Sequence, residues 1–448
     1  MKNLSAKKVL ILGYGREGKS THKFLSKYFP DVKISVADEQ ELSPTPLGVE
    51  NKYTGKDYLK HLSEFELVIK SPGIPTRLPE IQKYLKENGK ITSHMNLFFE
   101  NYSGVAIGVT GSKGKSTTSS LIHTILKEKY DDVRFGGNIG LPALDLINDS
   151  NDSTIFVLEL SSFQLEYILY SPHIAVLLDI FPGHLDVHPS FEDYVAAKRN
   201  ILTFQKKEDF MIYNPKHSEV DKFISESQAT KYTYSSEDQS TNCFIKDENI
   251  YFKNEEGEIS IMPVKSIPLI GHGNLENTLA AVLVLNLLGV SKKQIQKGIA
   301  NFKPLEHRLE FVAEKNGVRY YDDSIASVPE AAIHAIQALG NKVETLIAGG
   351  HNRNQDLKKL VKTTAQSQIK NLILFPETGK LMEKEMKKER TDISTYHVNS
   401  MKEAVLRASE VSSPGTICLL SPGSPSFGLF KNFEDRGAQF KEEVKKLS

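Results

Sequence analysis

The chain carries its densest chemistry in one run, Gly108-Val109-Thr110-Gly111-Ser112-Lys113-Gly114-Lys115-Ser116-Thr117-Thr118. Val105-Ala106-Ile107 before it reads as a buried strand, and Ser119 to Lys127 after it reads as a helix. A strand, a glycine turn and a helix opening on Gly-Lys-Ser make a phosphate cradle. Backbone N–H groups and the helix N-terminus face the anion, Lys115 adds a point charge, and the Ser116 hydroxyl can reach Mg²⁺. The common G-x-x-x-x-G-K-[ST] pattern would want glycine at Val109. The variant present is Thr-Gly-x-x-Gly-Lys-Ser-Thr, and it predicts nucleoside triphosphate binding through Gly111, Ser112, Lys113, Gly114, Lys115, Ser116 and Thr117. The plainer alternative is a glycine turn entering an ordinary helix.

A second glycine motif lies near the start. Gly13-x-Gly15-x-x-Gly18 follows the strand Val9–Leu12, and Asp38 stands 20 residues beyond Gly18. That satisfies the dinucleotide fingerprint, so an NAD-dependent dehydrogenase is one reading. The same turn holds any diphosphate, including that of a UDP-sugar. Asp38 either bonds a ribose hydroxyl or ends its strand. Glu159 closes the apolar run Ile155–Leu158, on the side of a parallel sheet where ligands bind, or is a solvated carboxylate there.

The elements that must position these residues alternate strand and helix from end to end, which predicts an α/β architecture. Val9–Leu12, Ile34–Asp38 and Leu67–Lys70, the last ending at Ser71-Pro72-Gly73, form a Rossmann-like unit, residues 1–103. A central ATPase-type unit, 104–304, holds the phosphate loop and the strands Ile155–Glu159 and Ile174–Leu178; Ser235–Thr241 and Lys253–Glu258 read as loop and hairpin. Gly317–Asp322, Thr345–Gly350, Leu372–Phe375 and Thr416–Leu420 build a third, Rossmann-like unit, 305–448. At 448 residues, three domains is the expected number.

Bulk composition narrows the classes. Lys+Arg and Asp+Glu are both 56, so no global charge points to nucleic acid. Cys243 and Cys418 have neither disulfide-framework nor zinc-site spacing. Met1 to Lys8 lacks a signal-peptide apolar core, and no apolar run approaches the ~20 residues of a membrane span. The expectation is a cytoplasmic monomer without membrane or nucleic-acid partners.

Further motifs follow in order: Gly136-Gly137-Asn138-Ile139-Gly140, then Glu159-Leu160-Ser161-Ser162-Phe163-Gln164-Leu165-Glu166, then His184-Leu185-Asp186-x-His188 and Tyr194-x-Ala196-Ala197-Lys198. Pro304-x-x-His307-Arg308, Asp323-Ser324 and Lys431-Asn432-Phe433-Glu434-x-Arg436-Gly437 complete the set. This ordered set, from Val9 to Gly437, resembles the ATP-dependent Mur ligases of peptidoglycan precursor synthesis. Within them it is most similar to the branch that adds D-glutamate to UDP-N-acetylmuramoyl-L-alanine.

The resemblance implies a chemistry. ATP transfers its γ-phosphoryl to a carboxylate, and an amine attacks the acyl phosphate. Such transfer depends on positioning and charge neutralisation. By resemblance, Lys115 sits on the β/γ-phosphates, Ser116 and Glu159 hold one Mg²⁺, and His184 contacts a second. Lys198, on a helix capped by Ser190, matches a lysine that CO₂ carbamylates into an anion supporting the metal; residue type alone favours a solvated lysine. Asn274 and Asn277 match a segment at the adenine, with a helix N-cap at Asn274 as the local alternative. Arg308 matches an arginine that approaches the γ-phosphate, and Asp323 matches a contact to the ATP ribose. Gly13, Gly15, Arg16, Glu17, Asp38, Ser71, Gly73 and Asn138 are assigned to the UDP-precursor, and Arg353, Ser426 and Phe433 to the amino acid.

The chain also departs from the family pattern. Asp179 and Gly183 stand where Asn and Asp are usual, Ile325 replaces a lysine after Asp323-Ser324, Gly273 replaces a histidine, and Arg353 stands where Gly-Gly-Asp-x-Lys has its lysine. Arg still holds a carboxylate, in a bidentate fork. These changes fall mainly on the amino-acid pocket. Another Mur-type ligase, L-glutamate as substrate, and a non-catalytic nucleotide-binding homologue are therefore carried as alternatives.

Overall fold

A computed structural model describes residues 6–182, 187–390 and 392–447. Three sheets run along the chain in sequence order. The first is all parallel, in the order Lys52–Thr54, Lys33–Asp38, Lys8–Leu12, Leu67–Lys70, Ile91–Ser93. Strand order reverses between Lys8–Leu12 and Leu67–Lys70, and the Gly13 and Ser71 turns leave the carboxyl ends of these two neighbours. That is the switch point at which open α/β sheets bind ligands.

The second sheet has nine strands. Val105–Thr110 lies between Ile174–Leu177 and Ile155–Glu159, parallel to both, so the phosphate loop and Glu159 emerge side by side. Its far edge is antiparallel, Cys243–Lys246, Asn249–Asn254 and Gly257–Pro263, with the hairpin at the charged segment read from sequence. The third sheet runs Glu310–Lys315, Val318–Asp322, Ile417–Leu420, Val343–Gly350, Asn371–Glu377, Ser394–His397, antiparallel only at its first pair.

The chain divides into two compact units: residues 1–267 with 276–302, and residues 268–275 with 303–448. The first unit contains two sheets because one apolar core serves both. Val9 and Ile11 of the first sheet and Phe156 and Leu177 of the second belong to the same buried cluster, which also takes in Met95, Phe98 and Phe99 from the helix His94–Asn101. Burial of these aromatic rings, at about 25 cal/mol per Å² of apolar surface, is the term that holds the sheets together. In the second unit, helices cover both faces of the sheet over two clusters, one around Leu346 and Leu372, the other around Ile347 and Phe440. Among the described residues no helix is long and apolar enough to cross a membrane.

Candidate active site

The phosphate loop has the geometry its residue types demand. The helix runs Lys115–Leu126 and so begins at the Gly-Lys-Ser itself, four residues before the apolar stretch that marked it in sequence. Gly114, its N-cap, has φ 84°, and a Cβ there would overlap Asn277 Oδ1. Only glycine takes that conformation cheaply. Gly111 has φ 153°, and a Cβ would lie 2.7 Å from Leu178 Cβ. Asn277 is buried beneath the turn of the loop. Ser112 is spent on the protein: its hydroxyl donates to Phe181 O at 2.8 Å and accepts from Phe181 N at 3.0 Å. Tyr194 OH lies 3.1 Å from the same hydroxyl. Lys113 and Ser116 are half-buried and Thr117 is buried.

Two amino groups converge on one carbonyl. Lys115 Nζ donates to Gly111 O at 2.9 Å, and Lys198 Nζ donates to the same oxygen at 2.8 Å. Lys198 also reaches Thr110 Oγ1 at 3.4 Å and sits 4.7 Å from the Tyr194 ring. It is 1% exposed, on the helix Phe191–Thr203, whose N-cap is Ser190 as the sequence led us to expect. Burial drives its pKa well below 10.5; the Lys115 charge pushes the same way, and Glu159 opposes both. The solvated lysine that residue type alone suggested is therefore not what the fold contains.

Glu159 is buried at the end of its strand. Oε1 accepts from Asn138 Nδ2 at 2.6 Å, while Oε2 is buried without a hydrogen-bond partner. An orphaned carboxylate oxygen is expensive unless a cation meets it. Glu159, beside a phosphate loop that presents Ser116, is thus the right donor chemistry for Mg²⁺. His184, the expected second contact, lies outside the described residues, as does Gly183.

The first-sheet motif is tied to this site. Arg16 donates to Gly137 O at 3.0 Å, Asn138 O at 2.9 Å and Gly140 O at 3.1 Å. Asn138 N in turn donates to Glu159 O at 2.8 Å. A chain of contacts therefore runs from the Gly13–Gly18 turn to Glu159. Glu17 Oε1 accepts from Gln164 Nε2 at 2.7 Å; burial raises the Glu17 pKa to about 7 against the opposing pull of Gln164, Arg16 and Lys70. Lys70, buried and 3.7 Å from Glu166, is pushed down by burial. Arg16 and Glu17, expected at the UDP-precursor, make contacts here with the Gly137–Gly140 loop and with Gln164 of the helix Ser162–Leu165, both connected to the second sheet.

Asp38 holds the turn, accepting from Tyr14 N at 2.6 Å and Gln40 N at 2.8 Å. Gly13 has φ 90°, and a Cβ there would meet Ser71 Cβ at 2.8 Å; Ser71 Oγ donates to Gly13 O at 2.7 Å. A Cβ at Gly18 would overlap Gly13 O. Gly15 and Gly73, in contrast, face open space, so no protein contact requires them to be glycine. They are where a ligand backbone can come close, at the switch point of the sheet.

The second unit holds the remaining assigned residues. Asn274 is not a helix N-cap: the helix is His272–Leu287, so Asn274 is its third residue, and its amide donates back to Ile270 O at 2.8 Å. Arg308 stands between His307 and Leu309, both at positive φ, 62° and 44°. Asp323 accepts from Leu309 N at 3.2 Å and Ser421 Oγ at 2.7 Å, which holds that turn. His307 Nδ1 lies 2.7 Å from Asp322 Oδ2. Ser426 lines a cavity of about 200 Å³ together with His351, Glu377 and Phe427, and the Arg353 guanidinium lies 5.2 Å from the Phe427 ring. Phe433 starts the last helix, 6.3 Å from the His307 ring, and is not among the residues lining that cavity.

Arg436, read in sequence only as part of a signature, is fully buried. It donates to Ser324 O at 2.7 Å, Ser324 Oγ at 3.0 Å and Ser424 O at 3.0 Å. It fastens the Asp322–Ser324 turn to the Ser424–Ser426 segment. A charge and a glycine one residue apart near the chain end were the available signal: a Cβ at Gly437 would overlap His307 Nδ1. Thr110, Tyr194 and Gln164 were likewise inside or beside quoted motifs without a role of their own.

Three family models cover most of the chain: the MurD-like N-terminal domain of Mur ligases over 7–93, the Mur ligase middle domain over 109–285, and the Mur ligase glutamate ligase domain over 307–423. The chain is 36% identical to the UDP-N-acetylmuramoylalanine–D-glutamate ligase of Acetivibrio thermocellus, over 100% of this chain and 98% of that protein. It is 36% identical to the enzyme of the same name from Oenococcus oeni, over 99% and 98%. Among solved structures, the MurF ligase of Thermotoga maritima in complex with ADP shares the fold with a TM-score of 0.61 at 18% identity, over 98% of this chain and 95% of that one. The chain belongs to the Mur ligase family.

Proposed function

We propose that the protein is an ATP-dependent, ADP-forming amide ligase that adds D-glutamate to UDP-N-acetylmuramoyl-L-alanine in peptidoglycan precursor synthesis. The single observation that carries the reading is the pair of amines on Gly111 O in a phosphate loop whose neighbouring strand ends at Glu159, with Oε2 of that carboxylate buried and unpartnered. Near-full-length identity to proteins named for that reaction supports the substrates.

The residues divide the labour as follows. Gly111 and Lys113 to Thr117 offer backbone N–H groups and a helix N-terminus to the triphosphate, while Ser112 N donates to Asp179 O at 2.8 Å. Lys115 leaves the Gly111 carbonyl for the β/γ-phosphates, which removes the crowding of two amines on one oxygen. Glu159 and Ser116 would hold Mg²⁺, which when bound neutralises charge on the transferring phosphoryl group. The substrate carboxylate oxygen attacks the γ-phosphorus, the bond to the β-phosphate oxygen breaks, and ADP leaves. The incoming amine attacks the acyl carbon of the resulting acyl phosphate; the tetrahedral intermediate collapses, orthophosphate leaves, and the amine loses a proton.

Lys198 is suited to carbamylation. Burial favours its neutral amine, whose lone pair adds to CO₂ with loss of one proton, so the neutral amine becomes an anion beside Glu159. We assign Gly15, Gly73, Ser71 and Asn138 to the UDP-precursor, and Arg353, Ser426 and Phe433 to the amino acid. Arg308, Asp323, Asn274 and Asn277 keep the ATP roles that the family pattern implies. The test is orthophosphate release with ATP, Mg²⁺ and UDP-N-acetylmuramoyl-L-alanine across D- and L-amino acids. D-glutamate-dependent release with formation of the amide supports the reading. Release driven by L-glutamate, alanine or lysine in its place overturns the substrate assignment.

A further inference from the structure

Glu377 is a non-glycine residue held at positive φ beside a candidate site. It ends the strand Asn371–Glu377 with φ 62° and ψ −94°, outside the left-handed helical well. The strand pairing shifts register just before it, between Ala348 and Gly350, and Gly350 then pairs with Glu377. Bulges of this kind re-aim a side chain. Glu377 is the N-cap residue of the following helix, but its side chain makes no cap hydrogen bond there. Strain of this kind persists only where surrounding contacts over-determine it, and it collects at ligand clamps.

The carboxylate is turned toward the loop that leads to Arg353. Oε2 accepts from Asn352 N at 2.8 Å, and His351 Nδ1 lies 3.1 Å from the same oxygen and 3.3 Å from Oε1. The next residue repeats the arrangement: Thr378 Oγ1 donates to Gly350 O at 2.9 Å and meets Ser424 Oγ at 2.8 Å. Glu377 also lines the cavity that holds Ser426 and Phe427, the ring beneath Arg353. An acid standing directly against an acidic amino acid would repel it. With His351 and Asn352 N on its oxygens, this one is instead committed to the loop.

We propose that Glu377 is a positioning residue for amino-acid selection, clamping the Gly350–Arg353 turn so that Arg353 stands at the cavity as the anion-binding group. The inference rests on the assignment of that cavity to the amino acid. Glu377→Gly removes the carboxylate and accepts positive φ without strain; Glu377→Gln keeps an acceptor for Asn352 N and serves if the glycine variant folds poorly. The expected result is a rise of about tenfold in KM for D-glutamate, smaller for Glu377→Gln, with kcat and the KM for ATP within about twofold of wild type. Combined with Arg353→Gln, Glu377→Gly should add little further, because both act through one contact. Unchanged KM in both Glu377 variants, or full additivity with Arg353→Gln, overturns the proposal. If Arg353→Gln and Ser426→Ala also leave the D-glutamate KM unchanged, the cavity assignment is wrong and the proposal falls with it. If those two raise the KM and the Glu377 variants do not, only the positioning role is wrong.

Discussion

Replacing Lys198 separates chemistry from packing at the centre of the site. The amine is 1% exposed, 2.8 Å from Gly111 O, and within the field of Lys115. Its folded pKa lies well below the ordinary 10.5, so between those two values the unfolded chain binds the extra proton. Stability therefore rises with pH through that window, at about 1.4 kcal/mol for each pKa unit of depression, and the penalty is largest at low pH. Lys198→Met keeps most of the volume and removes the amine. In CO₂-depleted buffer it should melt above wild type at pH 7, and the gap should close as pH approaches 10.5. Activity should move the opposite way. Loss of an anion preorganised beside the metal should cost at least ~10²-fold in turnover, or about 2.7 kcal/mol. Lys198→Ala, which leaves a void, should regain part of that with acetate, and Lys198→Met should not. Calorimetric melting across pH and a coupled ADP assay read both effects. Near-normal turnover in either variant, or a pH-independent fall in Tm for Lys198→Met, would refute this reasoning.

Three further perturbations test separate parts of the site. Lys115→Ala should lower ADP production by at least ~10²-fold with the fold intact, since a preorganised charge on the transferring group is lost; near-normal ADP formation would sink the ligase reading. Arg353→Gln should raise the KM for D-glutamate by about tenfold or more, the equivalent of ~1.5–3 kcal/mol for a charged hydrogen bond, and leave the KM for ATP nearly unchanged. Glu17→Gln keeps the oxygen that accepts from Gln164. The Glu17 pKa is raised from 4.5 to about 7, so wild type loses stability as pH rises through that range. The variant should match wild type at pH 4 and exceed it at pH 8 by up to about 3 kcal/mol in denaturant unfolding. Equal stability at both pH values would contradict the buried placement of Glu17.

The phosphate loop was legible because its residue types are locally determined. A glycine that must take φ 84° and a lysine and serine opening a helix leave few alternatives. The strands were legible for a similar reason, as short apolar runs ending at glycine or acid. The roles of Arg16, Ser112 and Arg436 were not. Each is set by carbonyls far along the chain, as with Arg16 and the Gly137–Gly140 loop more than 100 residues away, and no local pattern encodes such a contact. Asn274 misled because Asn before an apolar run is also an N-cap signal; the helix instead starts at His272, and the Asn274 amide turns back to Ile270 O. The state of Lys198 was hidden because burial of a helical lysine depends on what the fold lays over it.

The most direct test of an acyl-phosphate ligase is the fate of one oxygen. UDP-N-acetylmuramoyl-L-alanine carrying ¹⁸O in its alanyl carboxylate is turned over with ATP and D-glutamate, and the orthophosphate is analysed by mass. Transfer of the γ-phosphoryl to the carboxylate, followed by loss of phosphate to the amine, predicts one ¹⁸O in each orthophosphate released, with the other in the amide carbonyl. Orthophosphate without label, or label in AMP, would contradict the route assigned to Lys115, Glu159 and Lys198.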